Sequence, residues 1–277
     1  MQSIKSELLE LLRCNDLLRA TLLVGKIENP ELVTKKYIQQ LMELAASVWD
    51  QRARYKNDAI FVAERINLVL FQDFDLQGKT ERYKNVMDDP NLFFLHTVMD
   101  KKRGSPLAVT TLYYILAQQV GLTCEVLAFP SHYLLKISDV TEDFYIDAFD
   151  NGKFVSESEF QRRFRSSMQR SRMLSTNLFE KTTENQLIAR LVQHLKHIYI
   201  LKGNALCALR AVELLTALFP QSPELSRDRG ILYCEMEYFS KAMEDLKYYI
   251  KQRPNAEDIA EIKKLTTMLR GYRETMN

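Results

Sequence analysis

Residues 124 to 149 hold three short runs, CEVLAF, HYLLKI and FYIDAF, separated only by Pro130-Ser131 and by the polar stretch SDVTED. Each run is aromatic or β-branched in character, the signature of a strand. Links this short join antiparallel neighbours, because a parallel return needs a crossover of a dozen or more residues. The following turn, Asp150-Asn151-Gly152, contains the Asn-Gly pair favoured in tight hairpins. A small antiparallel sheet is therefore expected. It follows directly on a helix that opens at Ser105-Pro106 and whose period Gly121 ends.

From the start to about residue 101 the pattern is helical. In ELVTKKYIQQLMELAASVWD the apolar positions Val33, Tyr37, Leu41, Leu44 and Val48 form one amphipathic stripe. Its entry is read at Asn29-Pro30, a capping side chain followed by a proline whose missing N–H costs nothing in the first turn. The same device recurs at Asp89-Pro90 and Ser222-Pro223. After the strands, Ser156 and Glu159 offer a capping box that opens a helix into FQRRFRSSMQRSRM. That stretch carries Arg162, Arg163, Arg165, Arg170 and Arg172 with no acid among them; it suits phosphate or an acidic partner, though a solvated segment between domains is the simpler reading.

Beyond residue 184 the chain is helical again and repeats itself. Tyr199 and Tyr233, Ala208 and Ala242, and Pro220 and Pro254 are each separated by 34 positions, and Gly230 falls three residues before Tyr233. Thirty-four is the period of the tetratricopeptide unit, a helix-turn-helix with small residues where its helices cross. Two such units are fewer than usually stand alone, so the array is expected to dock on the preceding domain. The sequence thus reads as α+β: helices around a small antiparallel sheet over residues 1–180, then an all-α tetratricopeptide-like region over 184–277.

A chain of 277 residues is long enough for two such cores. With a net charge of +2 it has no general bias toward nucleic acid, so no nucleic-acid partner is expected. Cys14, Cys124, Cys207 and Cys234 show neither CxxC spacing nor a disulfide framework. The N-terminal stretch holds Glu7 and Glu10 within its apolar periodicity, and no apolar run reaches 18 residues. The expectation is a cytoplasmic protein with no membrane span.

NLVLFQDFDLQGKTERY, DDPNLFFLHTVMDKKRGSPLAVTTLYYILAQQVGL and AFPSHYLLKI…FYIDAFDNG resemble the SirB1 family, bacterial proteins with a transglutaminase-like core and, commonly, a C-terminal tetratricopeptide-like region. The resemblance covers roughly residues 17 to 160. It implies that the helix from Ser105 and the strands with His132 and Asp147 correspond to the parts of a transglutaminase or papain-like fold that carry a Cys-His-Asp triad. His132 then matches the triad histidine and Asp147 the acid. The cysteine has no match, since Gly104-Ser105-Pro106 occupies its place, and Ser131 stands where the family commonly has glycine.

A thiol at a helix N-terminus is activated by the helix dipole and a nearby imidazolium. A serine hydroxyl gains much less and needs a general base within reach, here His132, oriented by Asp147. Ser-Pro is also an ordinary helix cap, and His132 with Asp147 can persist as a structural pair. Two functions follow. One is a non-catalytic, degenerate transglutaminase-like protein that binds a protein or peptide through the repeat surface and a remnant cleft; the other is a Ser- or His-dependent hydrolase or acyltransferase built on Ser105, His132 and Asp147. The remaining candidates read as structural: Cys124 and His96 as packed residues, and His194 and His197 as a helical pair without a third ligand. No cofactor or metal is expected, because Gly78, Gly104 and Gly152 stand alone and form no phosphate loop.

Overall fold

A computed structural model of the chain describes residues 2–49, 58–78, 88–129, 132–138, 143–156, 158–162 and 181–275. They fall into two compact units, Leu11–Leu191 and, discontinuous in sequence, Met1–Glu10 with Val192–Asn277.

The unit Leu11–Leu191 is built around one buried helix. Helix α1 (Gln2–Arg13) contributes only its end to this unit; α2 (Leu17–Val24), α3 (Lys35–Trp49), α4 (Ala59–Asn67) and α5 (Leu95–Lys101) precede α6 (Pro106–Gln119). In α6 every residue from Leu107 to Ala117 is buried, as expected of a helix that is apolar all round. At roughly 1.5–3 kcal/mol for each large side chain buried, this helix is a principal source of the unit's stability. Its ends are locally specified. Ser105 caps the start with Pro106 in the first turn, and Gly121 at φ +69° allows Gly121 N to donate to Gln118 O and Leu122 N to Ala117 O, a Schellman closure.

Strands β1 (Glu125–Phe129), β2 (His132–Ser138), β3 (Asp143–Asp147) and β4 (Lys153–Val155) form an antiparallel meander in the order β1-β2-β3-β4. Val126 pairs with Leu135, Leu135 with Ile146, and Ile146 with Phe154. Leu127, Phe129, Leu134, Tyr145, Val155 and Phe160 cluster together, with Phe160 stacked on Tyr145 at 4.2 Å between ring centroids.

The Asn29-Pro30 helix entry is corrected by the structure. Asn29 Oδ1 accepts from Glu31 N and Leu32 N donates to Asn29 O, so these residues close a turn on themselves, and α3 starts only at Lys35. Val33 is consequently 71% exposed, outside the stripe that Tyr37, Leu41 and Val48 bury. Asp89-Pro90 is likewise shorter than read, capping a single 3-10 turn over Pro90–Leu92.

The second unit carries the repeat. Helices α7 (Glu184–Leu201) and α8 (Ala205–Leu218) are followed by α9 (Pro223–Glu235), α10 (Phe239–Gln252) and α11 (Ile259–Thr275). Tyr199 and Tyr233 occupy α7 and α9, and Ala208 and Ala242 occupy α8 and α10, so residues 34 apart play equivalent parts in successive helix pairs. Gly230 lets α9 approach α10 closely: a Cβ there would stand 2.8 Å from the Leu246 side chain. Arg229 clamps the same pair through two bonds to the Asp245 carboxylate at 2.6 and 2.7 Å. The first ten residues belong to this unit, and Lys5 reaches Glu213 on α8 at 3.5 Å.

Candidate functional site

Strand alternation puts His132 on β2 and Asp147 on β3 on one face, with Leu134 and Tyr145. Their side chains meet: His132 Nε2 and Asp147 Oδ2 are 2.9 Å apart. The Asp147 side chain has 0% exposure and that of His132 20%, so the carboxylate is sealed while one side of the ring reaches solvent. Asp147 also ends its strand, accepting Asp150 N at Oδ1 (3.2 Å) and Gly152 N at its carbonyl (3.0 Å).

Ser105 is 2% exposed. Its Oγ accepts the Ala108 N–H at 3.2 Å, and its own N–H donates to Leu92 O at 2.8 Å. The hydroxyl is thus the N-cap of α6, satisfying one of the donors that a helix start leaves orphaned. Of the cysteines, burial pushes the Cys124 thiol up to about 12, and Cys207 is buried. Cys234 is half-buried, its thiol also raised by burial, while Cys14 is exposed just past the end of α1. His96 lies between the rings of Phe94 and Tyr37, with burial lowering its pKa.

Ser131, Arg163, Arg165, Arg170 and Arg172 lie outside the described residues, and Arg162 is exposed. Among the described residues no three His, Cys, Asp or Glu side chains group as metal ligands, and no helix is long and apolar enough to cross a membrane.

Two residues that sequence reasoning did not single out as partners, Asn67 and Gly78, hold the turn that begins at Asp147. Asn67, the last residue of α4, donates from Nδ2 to Gly152 O at 2.7 Å. Gly78 N donates to Asn151 Oδ1 at 3.1 Å. Asn151 and Gly152 are both left-handed, at φ +53° and +73°. A Cβ at Gly78 would overlap the Phe149 carbonyl, and one at Gly152 would overlap Asn67 Oδ1. The Asn-Gly pair marks this turn in the sequence, whereas nothing local ties it to Asn67 or Gly78.

Comparison with known proteins fits this geometry. Residues 35–193 match the family model described as the transglutaminase-like superfamily, and residues 195–267 match a tetratricopeptide repeat model. A UPF0162 protein of Xylella fastidiosa is 23% identical over 263 residues, covering 92% of this chain and 88% of that protein. Protein SirB1 of Salmonella typhimurium is 24% identical over 161 residues, covering 58% of this chain and 60% of its own length. F-box only protein 21 of Mus musculus is 31% identical over 106 residues, which are 35% of this chain and 16% of that protein. Together with the His132–Asp147 pairing and the 34-residue repeat, these matches mean that the chain belongs to the transglutaminase-like superfamily, as a member of the SirB1 family with C-terminal tetratricopeptide repeats.

Proposed function

We propose that this protein performs no acyl transfer and acts in the cytoplasm as a binding or scaffolding protein, engaging a protein or peptide through its repeats. The observation that carries this reading is the state of Ser105: a residue 2% exposed, with its side-chain oxygen accepting the Ala108 N–H. A nucleophile has to be reachable by substrate and aligned with its base. Cys124, the cysteine next after α6 in the chain, is a poor substitute for the missing thiol, since it is buried and burial raises its pKa. Helix pairs of the tetratricopeptide kind build binding surfaces, which makes the repeats the natural seat of partner recognition.

The test is intact-mass labelling of the native protein with a fluorophosphonate, an activated acyl ester and iodoacetamide, alongside Ser105→Ala and His132→Ala. Iodoacetamide is expected to modify Cys14 first, with no serine adduct from the other two reagents. Stoichiometric labelling of Ser105 that disappears in both variants would overturn the reading in favour of a Ser105-His132-Asp147 hydrolase or acyltransferase.

A further inference from the structure

Irregular backbone in the core unit lines an open cavity. After α4 the chain widens into a π-helical turn over Leu68–Asp73, closed by Phe74 N to Val69 O at 2.9 Å, a device common at functional sites. Asp75 at φ +55° and Asn151 at φ +53° line the same space. Lys102, at φ +55°, adjoins it through its carbonyl, which accepts Gln77 N at 2.7 Å. Left-handed conformations cost energy in residues with a Cβ and gather where function retains them.

The space, open to solvent on one side, is about 620 Å³, within the range of small-molecule sites. Its polar lining consists of two carboxylates, Glu64 and Asp75, and four amides, Asn67, Gln72, Gln77 and Asn151. Ser105, His132 and Asp147 are not among the lining residues, so this cavity is distinct from the site described above. Asn67 Oδ1 is buried without a hydrogen-bond partner, an acceptor in want of a donor at the wall. Phe71 supplies an aromatic ring, backed by the buried Tyr113 at 6.4 Å between centroids.

We propose that this cavity binds a neutral, polyhydroxylated small molecule of mono- or disaccharide size. Charge narrows the class first: among the described residues no lysine or arginine lines the space, whose charged lining groups are the Glu64 and Asp75 carboxylates, so an anionic ligand is poorly matched there. A cation is poorly matched as well. Asp75 already interacts with the Lys102 ammonium, which lies over the Phe74 ring, so among the described lining residues Glu64 alone remains to balance a positive ligand. A primary amide presents a donor and an acceptor side by side, and a carboxylate presents two acceptors. Neighbouring hydroxyls on a sugar ring offer the complementary arrangement, since each can donate and accept, and the C–H face of such a ring packs on an aromatic surface such as Phe71. The turn holding Asn151 begins at Asp147, so occupancy is expected to be felt at the His132–Asp147 pair.

The test is titration of the ¹⁵N-labelled full chain with glucose, N-acetylglucosamine and maltose, each to about 50 mM, against inorganic phosphate and spermidine as charged controls. At least one sugar is expected to give saturable shifts at the amides of Gln72, Gly78 and Asn151, with a smaller change at the His132 ring. The exposed pair Gln72→Ala and Gln77→Ala, combined in one chain, should weaken that binding about tenfold, the equivalent of one or two hydrogen bonds. No saturation by any of the three sugars overturns the proposal. Saturation by spermidine or phosphate in their place overturns the ligand class, and sugar binding unchanged in the double variant overturns the site.

Discussion

Removing His132 should harm the protein more than neutralising Asp147, although the two share one hydrogen bond. The reason is their unequal access to water, with the Asp147 side chain at 0% exposure and that of His132 at 20%. His132→Ala strips the Nε2 partner from a carboxylate that solvent does not reach, and breaking a buried pair in this way costs ~3–5 kcal/mol. Because the vacated ring was partly exposed, water can follow it in, which places the expected loss near the lower end, at ~3 kcal/mol. Asp147→Asn keeps the volume and an oxygen for Asp150 N, and its amide can still pair with a re-tautomerised imidazole; its cost is about 1–2 kcal/mol, that of a weakened hydrogen bond. The combined variant should be more stable than His132→Ala alone, because it no longer buries a charge without its partner. Urea unfolding followed by tryptophan fluorescence measures this directly: the single tryptophan is Trp49 in α3, within the Leu11–Leu191 unit. An Asp147→Asn variant that loses as much stability as His132→Ala, or a combined variant that loses the sum of both, would refute the burial argument.

Two further outcomes are expected in the repeats. Gly230→Ala should lower stability rather than raise it by the ~1 kcal/mol usual for a helix interior, because the new methyl would stand 2.8 Å from Leu246 and 3.2 Å from the Asp245 Cβ; a rise in thermal midpoint would contradict this. The Asp258 carboxyl is held below the usual carboxylate range by the Tyr249 hydroxyl at 2.6 Å, with burial opposing and Arg227 reinforcing. A carboxyl whose pKa is depressed by folding contributes stability above its unfolded value and loses it as pH falls through the folded one. Hydrogen-exchange protection in α10 and α11 should therefore decline below about pH 4, and less steeply in Tyr249→Phe. An identical decline in the variant would show that this pair does not govern the acid response.

Local signals were legible in the sequence, and long-range ones were not. The cap at Ser105 and the stop at Gly121 are each written in a few adjacent residues, and the structure forms them where they are written, whereas His132 and Asp147, 15 positions apart, meet only through the pairing of β2 with β3. Asn29-Pro30 misled because an Asx side chain before proline serves a turn as well as a helix start; only the hydrogen bonds of Glu31 and Leu32 decide between them. The π-helical turn was invisible, since Leu68–Asp73 has no composition that separates a wide turn from an ordinary one. Asn67 and Gly152 are 85 positions apart, and no periodicity reports a contact of that kind.

The grouping of the first ten residues with the last eighty or so also has a temporal side. On the ribosome, α1 emerges before any of the repeats exist, and Lys5 cannot meet Glu213 until α8 has been made. The stretch from Leu11 to Leu191 has its own core and can settle as it is synthesised, while the start of α1 waits for α8 with its apolar Leu8 uncovered. Closing so long a loop is a slow, non-local step. A lesion in α1 would then be expected to register as a defect of the repeats, appearing only after α8 has been made.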